Sequence, residues 1–533
     1  MATRKPELPD DFDARLEASQ LPLDDNERTI MRDAVSRMDV LIGHLEDPLQ
    51  AETTDPLDGW SVPKTKAETP IDADDGWPMP TVAAMADALQ SGRTTARDLT
   101  ELCLDRIEQH DGALRSFLTL AADHARRSAD AADIQLRDGR RRGPLHGIPY
   151  ALKDAFDTAG IRTTVGSRIL ADRVPTKDAA LVADLHQAGA VLIGKLDTTE
   201  FCLGGPSRDG GFGPANNPWD LPRYAGGSSS GAGAAIAAGL IPLAFGTDTG
   251  GSVRLPATLT GVAGLKPTQN LISTDGVFPL STSLDHAGPL AATAGDCALA
   301  LAAMGKLGKG AADPPQAAGL RIGVPRGHGA DCPSAHPDAV KALFAAASAL
   351  AAAGAEIRAV DLPTLWAYSA ASSIIVGHEG WQVHAKRLAE SGRAYASMTR
   401  LRLGFGAFVS DEAYAHAMRV RERLAAAWQE AFADIDVMLT IGSPGPAPLQ
   451  TAVAPFYYFE SPILFSAANI AGAPALVVRG GTGEEGLPIG AQVAGRPGDD
   501  DKVLAVGQLL ESLLRPRPRH PPGYDGANTK DSP

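Results

Sequence analysis

Two serines lie in glycine-rich segments 24 positions apart. Ser228 sits in Gly226-Gly227-Ser228-Ser229-Ser230-Gly231, and Ser252 in Gly246-Thr247-Asp248-Thr249-Gly250-Gly251-Ser252-Val253-Arg254-Leu255-Pro256. A serine hydroxyl attacks a carbonyl only when a base takes its proton, and glycines let backbone N–H groups crowd a developing oxyanion. Ser252 is therefore read as a nucleophile, with the N–H groups of Thr249, Gly250, Gly251 and Ser252 as an oxyanion hole. Lys153 ends the apolar run Gly147-Ile148-Pro149-Tyr150-Ala151-Leu152, 75 positions before Ser228. A lysine with its ordinary pKa of about 10.4 is protonated and cannot act as a base. Burial disfavours the ammonium and brings the group towards about 7–8, where it accepts a proton. Taken singly, the three segments have plainer readings: a lysine paired with Asp154, a flexible serine loop, and a glycine turn capping a strand.

The flanking pattern supplies elements that would hold these groups. Residues 148–152 and 191–193 are short apolar runs suited to buried strands, and residues 232–239 read as a helix feeding a strand at 241–245. Further strands are expected at 320–324, 356–360, 437–441, 475–478 and 489–493, with a helix at 411–434 among them. Residues 81–90 and 95–110 read as two helices, the second opened by Thr95 and Asp98 in a near capping box. This alternation predicts an α/β fold, a mixed central sheet layered with helices on both faces. Residues 1–80 are expected to form an N-terminal helical extension, clearest at 25–45, and a proline-punctuated linker. A catalytic domain follows over 81–515, and then a loosely ordered tail over 516–533.

The chain has 533 residues, 44% hydrophobic, with 56 glycines and 40 prolines, which suits a globular protein with tight turns and close helix packing. Its net charge of −15 disfavours nucleic acid and anionic membranes as partners. Cys103, Cys202, Cys297 and Cys332 are too scattered for a zinc site or a disulfide framework. No signal peptide or membrane span is evident, so the expected location is cytoplasmic. Three other motifs lack their context. Gly227-Ser228-Ser229-Ser230-Gly231 fits a hydrolase elbow but follows a proline-containing loop rather than a strand. Ser61-Val62-Pro63-Lys64 has a proline where a helix is needed. Residues 189–195 resemble a phosphate loop but read as strand, with Leu196 where the metal-binding hydroxyl belongs.

Together the three segments resemble the amidase signature family, whose members use a Ser–Ser–Lys triad. The likeness extends to Glu200-Phe201, Asn217-Pro218-Trp219-Asp220, Gly264-Leu265-Lys266-Pro267-Thr268, Asn469-Ile470-Ala471-Gly472-Ala473-Pro474 and Gly486-Leu487-Pro488-Ile489-Gly490, over roughly residues 81–510. It implies that Lys153, Ser228 and Ser252 are base, relay and nucleophile, that Ser228 follows a cis peptide bond, and that Ser229 is a hydrogen-bonding neighbour. Ser230 stands where the commonest family pattern has glycine. Asp248 and Arg254 are expected to brace the turn.

The implied activity is hydrolysis of a linear amide through an acyl-enzyme, with ester or carbamate hydrolysis as related activities. No metal and no organic cofactor are implied. The expected partner is a small-molecule amide, with a homodimer as the candidate assembly. Phe456-Tyr457-Tyr458-Phe459 precedes a helix-like run at 463–470 where relatives line their acyl pocket, so Phe456, Tyr457, Tyr458 and Cys202 are candidate substrate contacts for an apolar or aryl acyl group. An aromatic patch packed under a loop explains the cluster equally well. Two other functions fit the scaffold. One is the glutaminase subunit of a tRNA-dependent amidotransferase, against which the absence of an acid over residues 461–468 counts. The N-terminal segment is faintly similar to the small helical subunit that accompanies such enzymes. The other is a non-catalytic binding protein.

Overall fold

The computed structural model describes residues 8–61, 77–206, 208–308, 313–329, 331–332, 335–514 and 520–524. Among these residues eleven strands form one sheet. In chain order the first six are β1 (Phe117–Leu120), β2 (Pro149–Lys153), β3 (Val191–Leu196), β4 (Leu243–Asp248), β5 (Ala263–Lys266) and β6 (His286–Ala291). Then come β7 (Arg321–Pro325), β8 (Glu356–Val360), β9 (Val437–Ile441), β10 (Ala475–Thr482) and β11 (Pro488–Ala494). Their spatial order is β1-β3-β2-β4-β6-β5-β10-β11-β9-β7-β8. β2 runs parallel to β3 and β4, and β7 parallel to β8 and β9, while the other neighbours are antiparallel. The sheet is mixed, as expected. β2 to β6 are buried at every position, so neither face of this part meets solvent.

Local signals explain many element ends. Thr95 and Asp98 each accept the other's backbone N–H over 3.0 Å, a complete capping box that opens the helix Ala96–Leu114. The expected helix at 25–45 divides at Arg37 into Asp25–Ser36 and Met38–Gly43. The wholly buried helix Ser230–Ala237 contains only small residues and one isoleucine. A Cβ at its Gly233 would lie 2.9 Å from Thr260 Oγ1 and 3.0 Å from Pro256 O. Glycine thus lets this helix press against the helix Arg254–Thr260, which follows Ser252.

The first helices dock on the later part of the chain. The Phe12 and Phe408 rings stack with centroids 5.1 Å apart, and His44 stacks on Trp366 at 5.0 Å. Glu27 forms a buried ion pair with Arg400 on the helix Ser397–Phe405. The helix Leu365–Ser391, 27 residues long and capped by the Thr364 side chain, has no counterpart among the sequence expectations. Among the described residues no helix is long and apolar enough to cross a membrane. The segment Val62-Pro63-Lys64 and most of the tail lie outside the described residues.

Candidate active site

β2 and β4 lie side by side in parallel, with Leu152 opposite Phe245. Their carboxyl ends therefore emerge together, as at the ligand sites of open α/β sheets. Lys153 is the last residue of β2, and Thr247 and Asp248 close β4. Lys153 is fully buried. Its Nζ donates to Ser228 Oγ over 2.7 Å and to Thr247 Oγ1 over 2.6 Å. Asp154 is not its partner: that carboxylate accepts from Thr164 N and Oγ1 over 2.8 and 2.6 Å, and lies 3.6 Å from Lys195 Nζ. Burial pushes the Lys153 ammonium below its ordinary pKa, opposed by Cys202 and Asp285 nearby. A neutral amine in that position accepts a proton from a hydroxyl.

Ser228 follows a cis Gly227–Ser228 peptide bond. Its carbonyl accepts from Thr199 N over 3.2 Å, and Ser229 N–H donates to the Ser252 carbonyl over 3.2 Å. The latter bond ties the glycine-serine loop to the Ser252 turn. Gly226 makes the approach feasible: its φ is +84°, and a Cβ there would lie 2.5 Å from Pro256 Cα. Ser229 Oγ donates to Thr247 O over 3.3 Å. Ser230 begins the buried helix, and its Oγ has no hydrogen-bond partner among the described residues.

Asp248 organises the turn. Its carboxylate accepts from the N–H groups of Gly251 and Val253 over 2.8 and 3.1 Å, and from Arg254 Nε and Nη2 over 3.0 and 2.9 Å. Asn469 Nδ2 donates to Asp248 Oδ1 over 2.9 Å, and its own Oδ1 accepts from Arg254. Burial opposes the Asp248 charge, but the Arg254 guanidinium, with Lys266 and Asn469, outweighs it and holds the carboxyl well below the usual carboxylate range. One expectation changes as a result. The Gly251 N–H, expected to face the oxyanion, is taken by Asp248 because the carboxylate fills the inside of the turn. Thr249 is fixed by its hydroxyl, which donates to Asp285 Oδ1 over 2.6 Å.

Ser252 is half-buried and opens onto a cavity of about 390 Å³ lined also by Thr249, Gly250 and Gly251. Cys202, Tyr457 and Tyr458 line the same cavity. Phe456 does not: its ring packs on Phe405, with centroids 5.7 Å apart, and on Tyr458. Three residues at the site were not singled out from the sequence. Thr247 shares Lys153, Asp285 holds Thr249, and Arg402 lines the cavity from the helix Ser397–Phe405. Thr247 was legible as a hydroxyl within the glycine-rich run. The other two have no local motif.

A family model described as Amidase matches residues 98–504, and the chain belongs to the amidase signature family. One subunit of the glutamyl-tRNA(Gln) amidotransferase of Halorhodospira halophila is 37% identical over 487 residues, 84% of this chain and 99% of that one. Its counterpart from Chloroflexus aurantiacus is 36% identical over 471 residues, 81% of this chain and 96% of the other. Among solved structures, the peptide amidase of Stenotrophomonas maltophilia is 31% identical with a TM-score of 0.70, covering 83% of this chain and 98% of that one. Another, described as a vestigial complex revealing the origins of an s-triazine catabolic enzyme, is 34% identical with a TM-score of 0.74, covering 81% and 98%.

Proposed function

We propose that this chain hydrolyses the C–N bond of a linear amide through an acyl-enzyme on Ser252. Neutral Lys153 takes the Ser228 proton as Ser228 takes that of Ser252, and Ser252 Oγ bonds to the carbonyl carbon. The N–H groups of Thr249, Gly250 and Ser252 are the remaining candidates to receive the oxyanion. The relay then delivers a proton to the departing nitrogen, the C–N bond breaks, and water releases the acyl group by the reverse route. The observation that carries this reading is the 2.7 Å contact from a fully buried Lys153 to Ser228. The test is intact mass after fluorophosphonate treatment, with peptide mapping of the adduct. One adduct on Ser252, absent in Ser252→Ala and strongly slowed in Lys153→Ala, supports it. An adduct on Ser229 refutes the assignment, and no adduct at all favours a non-catalytic scaffold.

A second reading, supported by the names of the curated relatives, is a glutaminase subunit that works with partner subunits of a tRNA-dependent amidotransferase. Among the described residues no carboxylate lines the cavity to receive a glutamine ammonium group. Glu460, just upstream of the segment lacking acids, is exposed and pairs with Arg37. Turnover of simple amides by the purified chain alone favours the first reading. Ammonia release from glutamine only with a partner favours the second.

A further inference from the structure

A separate cavity of about 420 Å³ is lined by Arg115, Arg208, Asn216 and Gln450, and also by Pro214 and Leu221. Both arginines are exposed. Neither forms an ion pair among the described residues, unlike Arg223, which pairs with Asp220 and Glu485. No carboxylate among the described residues lines this cavity. Neutral amides hold the two arginines instead. Arg115 Nη2 donates to Asn216 Oδ1 over 3.1 Å, and Arg208 Nη2 to Gln450 Oε1 over 3.3 Å. Gln450 Nε2 donates to the same Asn216 Oδ1 over 3.1 Å, so one chain of hydrogen bonds ties the two guanidinium groups together. Asn216 Nδ2 is anchored on Ala113 O over 2.8 Å, and Gln450 is buried. Each amide thus turns its acceptor end to an arginine. Gly213 admits the first of them: a Cβ there would lie 2.7 Å from Arg115 Nη1.

Two cations gathered around one cavity repel each other, and amides, which carry no charge, do not neutralise them. Carboxylates of the same shape at positions 216 and 450 would have done so. We propose that this cavity binds the oxyanion of a small molecule, a phosphate or a carboxylate, between Arg115 and Arg208. Planar guanidinium groups stay charged at any working pH and donate to such oxygens in pairs. At about 420 Å³ the cavity is of a size that holds an organic body as well. Leu221, 40% exposed, offers that body an apolar surface. The net charge of −15 disfavours a long polyanion and leaves the attraction local to the two arginines. A thin wall separates this cavity from that of Ser252. Gln450 lines the one, and Ala452, in the same one-turn helix, lines the other. Binding of the anion needs no reaction at Ser252.

The test is titration calorimetry of the full-length protein at low ionic strength with inorganic phosphate, phenyl phosphate and malonate. At least one should saturate a single site, and its affinity should fall as sodium chloride is raised, because both arginines are exposed. Arg115→Gln and Arg208→Gln should each weaken binding about 10-fold, the lower end of the range for a hydrogen bond to a charged group. Arg115→Lys and Arg208→Lys keep the charge but lose the fork, and should weaken it less. All four variants should keep the thermal midpoint of the wild type, as surface substitutions do. Tightest binding of a phosphate assigns the site to a phosphate-bearing ligand, and tightest binding of malonate to a carboxylate-bearing one. Saturation by none of the three overturns the assignment. Binding unchanged in both glutamine variants also overturns it, since the anion then sits elsewhere.

Discussion

Lys153 Nζ lies 2.6 Å from Thr247 Oγ1 and 2.7 Å from Ser228 Oγ. The buried amine thus has two hydroxyl partners and no carboxylate in an ion pair among the described residues. Ser228 is the proposed route for the proton, and Thr247 holds the amine on that route. A hydroxyl that accepts from lysine favours its charged form. Thr247→Val should therefore lower the Lys153 pKa further. Because the neutral amine is the working form, kcat/KM rises with pH through that pKa. The acid limb of the profile should move to lower pH in Thr247→Val; movement to higher pH would refute the role. Lys153→Ala should cost about 10²- to 10⁴-fold in kcat/KM, the usual worth of a general base.

Asp248→Asn should destabilise the protein by about 3–5 kcal/mol at neutral pH, because Arg254 is left buried without its anion. The folded pKa of Asp248 is depressed, so its stabilisation is complete above the unfolded value of about 3.9. It disappears as pH falls through the lower folded value. Urea midpoints of wild type and variant should differ widely at pH 7 and converge only in strong acid.

Asp197 should show the opposite dependence. It is buried, accepts from Ala215 N over 3.0 Å, and burial raises its carboxyl to about 7. The folded state then holds a proton that the unfolded state has lost. Asp197 therefore reduces stability as pH rises from about 4 to about 7. Asp197→Asn keeps the acceptor and removes the titration, so the variant should gain on wild type between pH 5 and pH 8 in the same urea measurement. An identical slope in both proteins would refute this.

Glu27 and Arg400, 4% and 6% exposed, form the buried lock between the first helices and the helix bearing Arg402. Glu27→Ala should cost about 3–5 kcal/mol by stranding the guanidinium. Glu27→Leu combined with Arg400→Met should recover much of that loss. It should not recover all of it, because Arg400 also donates to Gly392 O and Tyr395 O over 3.1 and 2.9 Å. Thermal midpoints of the single and double variants provide the comparison.

What was legible in the sequence was whatever has a local cause. Glu356–Val360 and Val437–Ile441 are strands within their expected bounds, because short β-branched and apolar runs between turns leave few alternatives. The Thr95–Asp98 box was readable for the same reason. The expected helix at 463–470 begins only at Ser466, after Pro462 and a turn. Leu365–Ser391 was missed because its serines and its apolar residues are buried together over much of its length, which blurs the stripe that marks an amphipathic helix. Phe456 turns to Phe405 and away from the cavity, and an aromatic cluster does not reveal which ring faces a cavity and which faces a neighbour. Arg402 and Asp285 owe their surroundings to chain segments far away in sequence, and no spacing rule reaches that far.

The Glu27–Arg400 lock joins residues 373 positions apart. At about 5–20 residues per second, roughly 20 to 75 s pass on the ribosome between the making of one partner and of the other. The first helices synthesised are thus among the last to find their seat. Until then Phe12, Leu16, Met31 and Leu41, all buried in the finished protein, have nothing to cover them. Nascent chains stalled short of residue 400 should expose that apolar face to chaperones, while those released beyond it can dock it.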